Sequence, residues 1–229
     1  MKIFNGTSAG HGTAHGRISI YHRGCERPQT RSVIDTEAEQ SRFKLARYIA
    51  VKELAALYER AYAELGESAA MIFHIHQLML DDETFTGSVC SIIEEKQVCA
   101  EAAVAETADI LTAFFTEMSD GYMSARGADV RDICDRVNAI LSSANTPYPQ
   151  PQEPSIIVAN ELSPSEILLA DKSLILGLVL TGGAPDSHAS ILARRMNIPS
   201  ICQTNIDVPI SDGMRGTVDA DKGIFVLDG

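Results

Sequence analysis

The chain has 229 residues, 45% of them hydrophobic, which is enough apolar material for one large domain or two small ones. Its net charge of −12, from 31 acidic against 19 basic side chains, argues against nucleic acid and anionic membranes as partners and suits a basic protein instead. No apolar run is long enough to span a bilayer and no signal peptide is legible, so a cytoplasmic protein is expected.

Residues 1 to 21 are rich in glycine and end in Gly16-Arg17-Ile18-Ser19-Ile20-Tyr21, which alternates like a strand. A polar stretch with Pro28 follows. From Thr36 to Ser143 there is no proline and almost no strand signal. Leu54, Leu57, Tyr58, Ala61 and Leu65 fall on one helical face, as do Val130, Ile133, Val137 and Leu141. A helix is expected over Ala69 to Leu80. Gly66 and Ser119-Asp120-Gly121 punctuate this region, which reads as long antiparallel helices packed on one another.

Asn145 to Pro154 is a linker stiffened by four prolines. Beyond it, short strands alternate with helices. Ser155 to Ala159 is a strand. Ser163 caps a helix, with Glu166 at the capping-box position. Leu174 to Leu180 is a buried strand broken by Gly182, Gly183 and Pro185. A helix then opens at His188, with Ser187 or Asp186 as its cap. Ser200 to Gln203 is another strand, and Gly216 to Leu227 reads as a hairpin. The two edge pieces are too small to fold alone. The expected architecture is therefore an α/β subdomain made of 1–30 and 145–229, with an all-α helical bundle of 31–144 inserted into it.

The most informative stretch is Thr181 to Arg195, where a histidine follows a glycine-rich turn at a helix start. The unpaired amides and the dipole of a first turn favour an anion such as phosphate. An imidazole there is placed to accept a phosphoryl group; a plain turn or capping residue is the alternative. The other constellations carry less. His74 and His76, two apart on a helix, point to different faces and make a poor metal pair. His11 and His15 have no matching ligands nearby. Asp81-Asp82-Glu83 reads as the polar start of a helix. The five cysteines, Cys25, Cys90, Cys99, Cys134 and Cys202, lack metal or redox spacing and are expected to be free thiols. No metal site, phosphate-binding nucleotide loop or hydrolase triad is indicated.

Gly182-Gly183, Ser187-His188, Ile191, Ala193-Arg194 and Ile198-Pro199 together resemble the phosphohistidine motif of the phosphoenolpyruvate-utilising enzymes. The stretches Glu67 to Asp82 and Arg126 to Ile133 look like helices of the Enzyme I branch of that family, from the bacterial sugar phosphotransferase system. Leu162-Ser163-Pro164-Ser165-Glu166 resembles the family's Leu-Thr-Pro-Ser-Glu element. Gly6, Ala9, Gly12 and Gly16 resemble its N-terminal strand. The dikinases of the family do not carry such a helical insertion, so the resemblance is to Enzyme I over nearly the whole chain.

That resemblance implies an α/β phosphohistidine subdomain of the swivelling type. It implies phosphoryl transfer from phosphoenolpyruvate, through a histidine, to the small carrier protein HPr. Carried over position by position, His188 is the phosphorylated residue, with Ser163 and Ser187 beside it. Ser163 stands for a threonine whose hydroxyl the family uses near the histidine. Glu67, His76, Met79 and Arg126 fall where the family contacts or supports the carrier. Counted back from His188 without a gap, Asp186 stands where the family usually has threonine and Pro185 where Enzyme I usually has arginine; a one-residue insertion would instead keep Gly182-Gly183 as the family's glycine pair. A non-catalytic module that docks HPr through a degenerate loop is the alternative. The family's phosphoenolpyruvate site lies on a separate C-terminal barrel with magnesium ligands. This stretch alone is therefore expected to need no cofactor and to exchange phosphate with HPr without using phosphoenolpyruvate.

Overall fold

A computed structural model describes residues 1–23, 27–117, 121–144 and 147–228, with side chains described outside 116–125. Cys25, most of the Ser119-Asp120-Gly121 turn, and Asn145 and Thr146 of the linker lie outside the described residues. The chain divides into two compact units, Met1–Gly24 with Pro147–Gly229, and Cys25–Thr146. Residues 27–30, read from sequence with the α/β part, pair instead within the helical unit. Arg27 binds Asp109 at 2.9 Å, and the Cys99 thiol donates to the Gln29 carbonyl.

The first and last elements of the α/β unit pair with each other. Strands β1 (Lys2–Asn5), β2 (Thr7–Ser8) and β3 (Thr13–Tyr21) precede the helical unit. After it come β4 (Ser155–Ala159), β5 (Ile175–Leu180), β6 (Ser200–Cys202), β7 (Arg215–Asp219) and β8 (Ile224–Leu227). The order across the sheet is β1-β8-β7-β3-β4-β5-β6-β2. Strands β3 to β6 run parallel. The terminal hairpin and the two short N-terminal strands pair antiparallel.

The sequence reading began its first strand at Gly16; the structure begins it at Thr13 and adds β1 and β2. These two are one strand bent at Gly6, pairing β8 with one half and β6 with the other. A Cβ at Gly6 would stand 2.7 Å from Thr204 Oγ1 and 2.9 Å from the Cys202 carbonyl, so only glycine fits the bend. The sheet thereby returns on itself. Phe4 of β1, first in the strand order, and Ile201 of β6, last but one, share one core with Ile18, Ile156, Val179 and Phe225. Every residue of β4 is buried, as expected for a strand covered on both faces. Helices α6 (Pro164–Leu169) and α7 (His188–Arg195) pack on each other in this unit.

The helical unit contains α1 (Thr36–Leu65), α2 (Glu67–Asp81), α3 (Glu83–Lys96), α4 (Ala100–Glu117) and α5 (Gly121–Leu141). Helix α1 buries Phe43, Ala46, Ala50, Leu54, Leu57 and Ala61, an i, i+3/i+4 stripe that faces α2 and α5. Helix α2 is one turn longer than the expected Ala69–Leu80, starting directly after Gly66. Asp82 caps α3 through the Thr84 amide at 2.6 Å, so the acidic run is a helix start.

Charge holds the start of α4 to α1. Arg42 Nη2 donates to Glu101 Oε1 at 2.6 Å, and Arg42 Nη1 to Glu39 Oε1 at 2.7 Å. Glu39 in turn accepts the Ala100 amide at 2.8 Å. Burial works to raise the Glu101 carboxyl, but the Arg42 hydrogen bond and the Arg42 and Arg31 charges outweigh it, and its pKa lies below the ordinary value. A carboxyl depressed on folding adds stability above its unfolded pKa, about 4.3, and that stability is lost as pH falls through the folded value. Glu101→Gln should therefore lower the urea midpoint of the helical unit at neutral pH and flatten its fall below about pH 5. An acid limb identical in the two proteins would remove Glu101 from the account.

Candidate functional site

Strands β4 and β5 are parallel neighbours, so their carboxyl ends lie at one edge, and each leads into a loop and a helix start. This is where ligands settle in open α/β sheets. The two strand ends are tied together by Asn160. Its backbone carbonyl accepts the Gly182 amide at 2.8 Å, and its side-chain oxygen accepts the Thr181 hydroxyl at 3.0 Å. A Cβ at Gly182 would press on both Asn160 oxygens at 3.2 Å. Gly183 follows with φ +75, and the loop then turns through Ala184 and Pro185 to α7.

His188 is the first residue of α7 and is half-buried. Ser187 is the cap: its hydroxyl oxygen accepts the Ser190 amide at 3.2 Å. The Ser190 hydroxyl donates to the Ala184 carbonyl at 2.7 Å, closing the loop against the helix. Asp186, the other cap foreseen, is exposed and does not cap. Burial, and then the Asp186 charge, push the Cys202 thiol upward, so that carboxylate lies within electrostatic reach of β6.

Ser163 opens α6 at the same edge. Its hydroxyl oxygen accepts the Glu166 amide at 3.2 Å, while Glu166 Oε2 accepts the Ser163 amide at 2.6 Å, a complete capping box. Glu166 is almost wholly buried. Tyr21, from the end of β3, donates to its Oε1 at 2.7 Å, and Arg23 Nε lies 3.4 Å from the same oxygen. The start of α6 is thus pinned to a third strand end. The edge gathers two capped helix starts, an imidazole and a hydroxyl, an arrangement that can receive an anion and present a nucleophile to it.

Comparison with known proteins bears on the whole chain. The family described as PEP-utilising enzyme, N-terminal, matches residues 5–126, and PEP-utilising enzyme, mobile domain, matches 151–223. The chain belongs to the PEP-utilising enzymes. The phosphoenolpyruvate-protein phosphotransferase of Lactococcus lactis subsp. lactis (strain IL1403) is 34% identical over 203 residues, 87% of this chain and 35% of its own length. That of Streptococcus equinus is 33% identical over 230 residues, 99% of this chain and 40% of its own. The chain thus spans little more than a third of the length of these curated relatives. Among solved structures, the solution structure of Enzyme I (nEIt) superposes with TM-score 0.72 at 24% identity, covering 98% of this chain and 92% of that one. The N-terminal domain of Enzyme 1 - Nitrogen gives TM-score 0.65 at 25% identity, covering 98% and 93%. The α/β unit with an inserted helical bundle is the fold of these PEP-utilising-enzyme domains.

Within this family member, the mobile-domain match contains His188, Ser187 and Ser163, and the N-terminal match contains Glu67, His76, Met79 and Arg126. Glu67 is exposed at the first position of α2. Met79 is half-buried beside Leu78, which is 57% exposed, and Arg126 on α5 is half-buried. His76 needs correction. Its exposure is 0%, so it touches no partner from this position. Its Nε2 lies 3.4 Å from Asp129 Oδ1 and its Nδ1 3.6 Å from Asp132 Oδ2, both on α5 and both buried. Periodicity marks residue 76 as facing the bundle, but a histidine there reads from sequence as a surface group.

Arg194 belongs to the motif quoted from the sequence, and by helix rise its Cα stands far along the axis from His188. Side chains on a helix lean toward its N-terminus, however, and Arg194 reaches back over its own helix. Its Nη2 donates to the Pro185 carbonyl at 3.1 Å and its Nε to the Ala9 carbonyl at 3.1 Å. Asn160 and Tyr21 were missed altogether. Their roles depend on strand register, for which the sequence carries no local signal. Among the described residues, no helix is long and apolar enough to cross a membrane.

Proposed function

We propose that His188 carries a phosphoryl group and exchanges it with an HPr-like carrier protein. The observation that carries this reading is the placement of His188: half-exposed, first in a capped helix, at the carboxyl edge of parallel strands, inside the stretch matched by the family's mobile domain. Phosphoryl transfer demands in-line positioning and charge stabilisation more than covalent machinery. One imidazole nitrogen of His188 forms the new P–N bond while the bond from phosphorus to the carrier breaks and the carrier keeps the electron pair. A hydrogen bond to the other His188 nitrogen would fix the tautomer. The helix start, with about half a positive charge, balances the arriving phosphoryl oxygens. Ser163 and Ser187 serve beside His188, Ser163 offering its hydroxyl and Ser187 holding the helix start.

Glu67, Met79 and Arg126 form the carrier-docking surface of the helical unit in this reading, with His76 supporting it from beneath. The net charge of −12 suits a basic carrier. In this reading residues 1–229 do not themselves handle phosphoenolpyruvate or its magnesium ion, and the chain works in a reducing cytoplasm. The decisive test is incubation with phosphorylated HPr followed by intact mass. Gain of one acid-labile, base-stable phosphoryl group supports the reading; tight binding with no gain would favour a docking module. With Glu67 exposed and the chain at net −12, the association rate with a basic carrier should fall several-fold as ionic strength rises and the screening length shrinks toward about 3 Å at 1 M. A rate independent of salt would argue against an electrostatic docking face.

A further inference from the structure

We propose that Arg194 is a positioning residue for His188, acting by strapping the His188 loop to a rigid segment at the chain's N-terminal side. The role assigned to His188 in transfer rests on the function proposed above; the strap itself does not. The anchor is the Ala9–Gly10 segment. Ala9 is 1% exposed, and the Ala9 and Gly10 amides both donate to the Ser200 carbonyl at 2.9 Å. A Cβ at Gly10 would lie 2.5 Å from Ser200 Oγ and 2.8 Å from the Ile198 carbonyl, so the segment has no room to shift toward β6. Arg194 Nε takes the Ala9 carbonyl of this anchor, and Nη2 takes the Pro185 carbonyl.

Pro185 has no amide hydrogen, so its carbonyl is its one backbone polar group and Arg194 engages it. The preceding carbonyl, of Ala184, accepts the Ser190 hydroxyl at 2.7 Å and the Ser187 amide at 3.1 Å. Two successive carbonyls of the loop are thereby tied to two residues of α7. A planar peptide with its carbonyl fixed has its next amide fixed too, on the opposite side. The constraint thus passes through Asp186 to the Ser187 cap and to His188. A guanidinium suits this task because its rigid fork reaches two acceptors at once, which a lysine ammonium on a flexible stem does not.

The test compares wild type, Arg194→Ala and Arg194→Lys by amide hydrogen exchange and by phosphoryl exchange with phosphorylated HPr. In Arg194→Ala, the Ser187 and Ser190 amides should exchange at least about tenfold faster while the Glu166 amide, in the α6 capping box, is unchanged. The transfer rate should fall about a hundredfold with carrier affinity unchanged, the scale of a misplaced reacting group. Arg194→Lys should behave like Arg194→Ala, and added guanidinium ion should restore part of the Arg194→Ala rate. Unchanged protection at Ser187 and Ser190 overturns the strap. Lost protection with an unchanged transfer rate overturns its role toward His188. Absence of phosphate on the wild type sinks the proposed function instead, and the hydrogen-exchange comparison still decides the strap. Should Arg194→Ala fail to fold, Arg194→Gln, which keeps one donor prong, is read in the same way.

Discussion

His188→Ala will take no phosphoryl group from phosphorylated HPr, whereas each single substitution of the other five histidines will leave labelling of His188 in place. The reason is chemical. Alanine offers no nitrogen to form the P–N bond, and no other imidazole is described at a helix start on the carboxyl edge of the parallel strands. His11 is an exposed loop residue near Asp221, and His15 sits on β3 beside Thr217. His74 is exposed on α2 against Tyr58, and His76 is sealed inside the bundle. The substitution should cost little stability, within about 1 kcal/mol. The first helical position tolerates alanine, and the cap belongs to Ser187. Intact mass of the protein before and after acid treatment gives the answer. Labelling of His188→Ala at the wild-type level would remove His188 from the mechanism.

The largest stability effect should come from His76→Leu. His76, Asp129 and Asp132 are each 3% exposed or less, and Arg136 nearby, also 3% exposed, pairs with Glu53 at 2.7 Å. The imidazole stands between two carboxylates at 3.4 and 3.6 Å, in ion-pair range of both, and its edge meets the Phe73 ring. Leucine fills a similar volume, so packing alone predicts a small change. The buried contacts to Asp129 and Asp132 predict a larger one, because leucine gives those two carboxylates no polar group to face. Leaving a buried polar group short of a partner costs about 1–3 kcal/mol, and more where it is charged. At 1–3 kcal/mol per molar urea, the midpoint should drop by about 0.3–3 M. The two units can unfold separately, so amide signals of α2 and α5 should be followed rather than a global probe. Adding Asp132→Asn should recover part of the loss by removing one of the two like charges. A midpoint unmoved by His76→Leu would mean that the cluster contributes nothing net.

What could be read from sequence was what is local. The stripe Leu54, Leu57, Ala61 and the box Ser163 to Glu166 are patterns within one or two helical turns, and propensity with capping chemistry decides them. The glycine-rich turn before His188 is of the same kind. What escaped depends on register between distant segments. Strand β1 is four residues long, and its pairing partner lies more than two hundred residues away, at Ile224–Leu227. Asn160 matters because β4 and β5 end side by side. Tyr21 matters because β3 ends beside β4, which carries its hydroxyl to Glu166. His76 was misjudged for a different reason: a histidine is an ordinary surface residue, and only the Asp129 and Asp132 side chains of another helix make its burial intelligible. The reach of Arg194 back to Pro185 was not legible because axial rise locates a Cα and not the end of a long side chain.

The strand bent at Gly6 also imposes an order on synthesis. The helical unit is one continuous stretch, complete once residue 146 has been made, and its contacts are mostly between neighbouring helices. The α/β unit can close only when residues 224–227 exist to meet residues 2–5. At 5–20 residues per second, on the order of 4–16 s separate the two events. Ser155–Ala159 is made early in that interval but Arg215–Asp219 only near its end, so through most of it the strand of Thr13–Tyr21 lacks one of its two neighbours. Unpaired apolar strand edges invite association with other chains. The nascent protein is therefore most dependent on chaperones after its helices have formed and before its final hairpin emerges.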